Sequence, residues 1–122
     1  MPWPRRGERG QATVELALVL PILALAILAV LQVALVVRDH IAVVHAAREA
    51  ARAASVDPDP TRARVAALRM LPGAEVRVGN RGRVGEPIAV VVTYESVTDL
   101  PLVGSLFPDP TLKSRVVMRI EK

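Results

Sequence analysis

Three residues near the amino end stand where chemistry could happen: Gly10, Gln11 and Glu15. Gly10 closes a basic stretch that holds Arg5, Arg6 and Arg9. Glycine has little bulk and lets a backbone extend into a protease site. Glu15 places a carboxylate where a long apolar run begins. Within a membrane such a group is costly and usually functional. At the interface it is nearly free and favours a helix N-terminus. Chemistry alone leaves both placements open. Cleavage after Gly10 would free an α-amino group on Gln11. In low-dielectric surroundings that cation and the Glu15 carboxylate gain from pairing, within one subunit or between neighbours.

Other constellations are poor. His40 and His45 are five apart and Asp39 adjoins His40, which does not stack as a metal site. Ser55, Ser96, Ser105 and Ser114 lack the context of a nucleophile elbow. Gly79, Gly82 and Gly85 surround arginines and never precede a helix, so they cradle no phosphate. No enzymatic activity, cofactor, metal or small-molecule substrate is expected. The net charge of +4 is spread along the chain, with only Trp3, Tyr94 and Phe107 as aromatics. That argues against nucleic-acid binding. There is no cysteine, hence no disulfide framework.

The elements that must position Gly10 and Glu15 follow. Leu16 to Val37 runs uncharged, with Gln32 its one polar member. As a helix it would reach roughly 33 Å, close to a hydrocarbon core of about 30 Å. A membrane span over about 16–37 is the expectation. Pro21 lies inside it and forfeits a backbone bond, either as a mild kink or as a point where the helix loosens during assembly. The run exceeds an ordinary secretory h-region and no prompt cleavage site ends it. The arginines of the short N-terminal segment favour a cytoplasmic N-terminus. A basic leader ending in glycine, a new terminus at Gln11 and a carboxylate five residues into the mature chain form the pattern that prepilin peptidase reads. That enzyme cuts before the apolar segment and so leaves the anchor in place.

Helical sequence continues to about Ser55, rich in alanine. The alanines, including Ala47 and Ala51 among Arg48, Glu49 and Arg52, leave thin faces. They suit either a solvated stalk or an inter-subunit packing surface. Asp57-Pro58-Asp59-Pro60 stops this helix. A second helix over about 61–71 follows, capped by Asp59 or Thr61, with Val65 and Leu68, and Leu71 or Ala67, on its apolar face. Alternation then signals strands at Val76–Val78, Pro87–Val97 and Leu112–Glu121, with a turn at Asn80-Arg81-Gly82. The connection from Asp99 to Thr111 is more apolar than an ordinary loop and suits packing over the sheet or the membrane surface. The expected fold class is α+β. A long N-terminal helix over 11–56 joins a small distal domain over 61–122, made of one short helix and a three-stranded, antiparallel sheet. Residues 1–10 form the leader. So few aromatics make the distal core marginal without help from the helix base or from partner subunits.

The stretch Arg9-Gly10-Gln11-Ala12-Thr13-Val14-Glu15-Leu16-Ala17-Leu18-Val19-Leu20-Pro21 resembles the opening motif of the TadE-like family. These are the minor pseudopilins of the tight-adherence (Flp-type) pilus system. His45 to Ala54 resembles the second motif, with Ala50 where the family often has glycine. The resemblance covers residues 9–56 well and the rest loosely. It implies an exported subunit processed by prepilin peptidase in the bacterial cytoplasmic membrane, with its C-terminal domain extracytoplasmic. Its implied partners are other pilins and pseudopilins and the pilus assembly platform. The competing expectation is an uncleaved single-pass accessory protein that binds a partner through its stalk or sheet edge.

Overall fold

The computed structural model describes residues 6–97, 100, 102, 105, 106 and 108–122, with side chains from Gly10 onward. Arg5, Trp3, Asp99, Val103 and Phe107 therefore lie outside the described residues, as do the side chains of Arg6 and Arg9.

One helix, α1, covers Arg6–Val56, 51 residues, or roughly 76 Å at the usual rise. It begins five residues earlier than expected and runs through Pro21 without ending. Residues 10–27 are exposed all round. A covered stripe then starts at Leu28 and passes through Gln32, Val36, Asp39, Val43, Ala46, Ala47, Ala50, Ala51 and Ala54. Steps of three and four keep that stripe on one face.

The second helix, α2, is Pro60–Met70. Asp59 caps it, accepting the Thr61 amide at 2.9 Å, with Pro60 at the first helical position. The backbone and side-chain bonds from Thr61 pull the Asp59 carboxyl below its ordinary value. Asp57 accepts the Asp59 amide at 2.9 Å and ion-pairs with Arg62 at 3.6 Å, so the Asp-Pro-Asp-Pro stop is a hydrogen-bonded corner. Gly73, at φ 85°, carries the chain out of the helix. The buried face of α2 is Ala63, Ala67 and the following Leu71, whereas Val65 and Leu68 are exposed. Of the expected face, Ala67 and Leu71 are buried, and the expectation for Val65 and Leu68 is corrected. Alanines at i and i+4 let α2 lie close against the alanines of α1, which larger side chains would prevent.

Strands β1 (Glu75–Val78), β2 (Pro87–Glu95) and β3 (Thr111–Arg119) form an antiparallel sheet in that order. Ile88, Val90 and Val92 point inward at period two and meet α1, α2 and Ile120 in one core. The expected α+β class, helix count, strand count and antiparallel pairing all hold. The strand ends differ. Beyond Glu95, the Ser96 amide still bonds Pro110 O (3.0 Å), but its hydroxyl turns to Asp39. Beyond Arg119, the Glu121 amide leaves the sheet for Ser55 O (2.9 Å).

The reversal between β1 and β2 also shifts. It falls at 83–86 instead of 80–82, around Gly85, which the sequence also offers as a breaker and which adopts φ 91° and donates to Ile120 O at 2.8 Å. The Glu86 side chain closes it by accepting the Arg83 amide at 2.8 Å.

Candidate processing and assembly site

Gly10 lies within the first turns of α1, and a Cβ placed on it would meet nothing within 4 Å. Its backbone is helical, with no positive φ. Glycine in a helix interior costs roughly 1 kcal/mol relative to alanine. Nothing among the described residues requires that cost.

One residue later, the Gln11 amide Nε2 donates to Glu15 Oε1 at 3.3 Å, both side chains exposed. The spacing of four puts them one above the other on the helix. The structure thus brings Gln11 and Glu15 together and places Gly10 immediately beside them. Pro21 sits farther along the same exposed segment, among Leu16, Leu18, Val19, Leu20, Ile22 and Leu23. By length and composition, α1 is apolar enough to cross a membrane, and the most apolar part of it is scarcely buried.

The residues expected to pack helices divide. Ala47 and Ala51 are wholly buried inside the chain's own core against α2 and the sheet. Arg48, Glu49 and Arg52 are exposed on the opposite side. The alanine face is therefore occupied within the subunit, and only the charged side is open to a neighbour. His40 and His45 are both exposed. Among the described residues no group of three His, Asp or Glu side chains could hold a metal ion.

Two ties that hold the domain to the helix went unread in the sequence. Ser96, fully buried, donates its hydroxyl to Asp39 Oδ2 at 2.5 Å. Arg81 reaches the far end of α1, where its guanidinium donates to the carbonyls of Ala54, Asp57 (3.1 Å), Ser55 (3.5 Å) and Lys122. The last turn of a helix leaves carbonyls without helical partners, and a cation there is favoured. A local signal for Arg81 was absent because the acceptors lie 24 or more residues away. A third polar residue, Gln32, is buried near Pro108 and Pro110.

The family model described as TadE-like protein matches residues 10–52, from Gly10 through the buried alanines of α1. Over that segment, about a third of the chain, the sequence is similar to TadE-like proteins. Neither the curated proteins nor the solved structures yield a match to the chain.

Proposed function

We propose that this chain, TadE-like over residues 10–52, is a minor pseudopilin that helps assemble a Flp-like pilus. Prepilin peptidase cuts after Gly10 on the cytoplasmic side. The apolar half of α1 stays in the cytoplasmic membrane, and the α+β domain stands on the far side. Other pilins, pseudopilins and the membrane assembly platform are its partners.

The observation that carries this reading is Gly10 itself. It stands in open space, one position before the Gln11–Glu15 pair, at a site where the fold gains nothing from glycine. A requirement imposed from outside the chain, the narrow site of a protease, accounts for it. Glu15 then has a task. Glu15 stands at the edge of the proposed span, and a carboxylate drawn from there toward the bilayer centre costs up to about 2.5–3.5 kcal/mol. Pairing with the new α-amino group of Gln11, in the same subunit or the next, offsets that cost and fixes the register between neighbours. Pro21 provides a place where the helix can yield as subunits pack. The role is structural, and the chain is a substrate of the peptidase, with no catalysis of its own.

The test is the intact mass of the membrane-extracted protein, made with and without a prepilin peptidase. Loss of Met1 to Gly10 only when the peptidase is present supports the reading. Full-length mass in both samples sinks it and leaves an uncleaved single-pass accessory protein. Glu15→Ala should still be cut but should fail in pilus assembly. Normal assembly by that variant would remove the pairing argument.

A further inference from the structure

The connection between β2 and β3 leaves the sheet at Ser96, whose hydroxyl is bonded to Asp39. Asp39 is only two residues past Val37, the end of the apolar run. The connection returns through Pro108 and Pro110, which wall a groove of about 400 Å³ with Ala29, Gln32, Val33 and Val36. Those helix residues belong to the apolar run. The opposite pole of the domain is fixed at the other end of α1, where Arg81 and Glu121 bind the carbonyls of Ala54 and Ser55. The β2–β3 connection is therefore the pole of the domain nearest the apolar belt of α1.

Its surface matches that position. Leu102 is 70% exposed and Leu106 74% exposed, among the highest values for large apolar residues in the described chain. The sequence from Leu100 to Pro108 carries no charge. On an ordinary water-facing loop, side chains of this kind are not expected in such a run. The apolar belt of α1 is equally bare: Val30 is 69% exposed and Val33 62%.

We propose that Leu102 and Leu106 make a second membrane contact, seated in the leaflet on the domain's side, at the boundary between headgroups and acyl chains. The inference rests on reading α1 as a membrane span. Its occupant is lipid because the chain that carries Leu102 and Leu106 returns through Pro108 and Pro110 against Ala29, Val33 and Val36 of the proposed span. The depth is interfacial: irregular backbone exposed to lipid is not tolerated inside the hydrocarbon core, whereas apolar side chains seat about 5–10 Å into the headgroup and acyl boundary. The contact would clamp the domain upright against the bilayer and set how far α1 protrudes.

The sequence has no cysteine, so single reporter sites can be placed cleanly. The full chain, carrying Leu102→Cys or Leu106→Cys with an environment-sensitive fluorophore, is reconstituted in phosphatidylethanolamine–phosphatidylglycerol vesicles. The vesicles contain lipids with a nitroxide quencher either near the headgroup or deep in the acyl chain. Leu23→Cys reports the span, and Val84→Cys, exposed at the opposite pole, reports water. The expected result is emission loss at positions 102 and 106 with the shallow quencher, at 23 with the deep one, and at 84 with neither. Quenching at 23 while 102 and 106 behave like 84 would overturn the membrane contact and leave the span intact. Positions 102 and 106 shielded from a water-soluble quencher yet untouched by lipid quenchers would also overturn it, in favour of a second protein surface. No quenching at 23 would remove the span and the proposal together.

Discussion

Replacing Arg81 by methionine keeps the length of the side chain and removes its guanidinium. Four carbonyls lose a charged donor: Ala54, Ser55 and Asp57 at the end of α1, and Lys122. Hydrogen bonds to charged groups contribute about 1.5–3 kcal/mol each when buried. Arg81 is only half-buried and water replaces part of the loss, so the set together is worth about 2–3 kcal/mol. The damage should centre on the joint between the helix end and the last residues of the chain. Glu121 donates its amide to Ser55 O, one of the carbonyls that Arg81 also engages. Amide exchange of the micelle-embedded protein reads this directly. Glu121 should exchange roughly 30- to 100-fold faster in Arg81→Met, because each 1.4 kcal/mol is tenfold. Val91, in the middle strand of the sheet, should change less. Arg81→Lys keeps the charge but loses the planar fork, and should fall between the two. Unchanged protection at Glu121 would refute the assignment of Arg81 as the staple of this joint.

Ala50→Leu should destabilise the domain by about 1–3 kcal/mol in urea unfolding, because the site is fully closed by α2 and the sheet. The same enlargement at exposed Ala34 should be neutral. Ile88→Ala, in a position 2% exposed, should cost about 2–5 kcal/mol. Asp59 supplies a pH dependence: its folded carboxyl is held below 3.8 by the Thr61 bonds. Its contribution is therefore complete above the unfolded value and is lost as pH falls through the lower folded value. Amide protection in the first turn of α2 should drop in that acid window, and Asp59→Asn, which keeps an acceptor but no charge, should abolish the pH dependence.

What the sequence made legible was what neighbouring residues decide among themselves. An uncharged run announces a long helix, Asp59-Pro60 announces a cap, and alternation at Ile88, Val90 and Val92 announces a strand with one buried face. Each signal lies within a few residues of the structure it produces. The misplaced features are those settled by distant partners. Arg81 sits beside Asn80 and Gly82 and reads locally as a turn, yet its acceptors are on α1 and at Lys122. Val65 and Leu68 are the larger apolar residues of α2, yet Ala63 and Ala67 are buried, because the opposing surface is itself alanine. Thin faces on α1 fitted a stalk or a subunit interface equally well until the domain was seen to occupy them. That occupation has a consequence for assembly. Since Ala46, Ala47, Ala50, Ala51 and Ala54 are spent on the chain's own core, a neighbouring subunit of the proposed assembly would meet the other exposed residues of α1, those of its N-terminal half and of the side bearing Arg48, Glu49 and Arg52 among them. The exposed half is where Glu15 and Pro21 lie. In the proposed pseudopilin, packing between subunits and pairing at Gln11 would thus draw on one stretch of helix, and a charge placed on its apolar belt should disturb both.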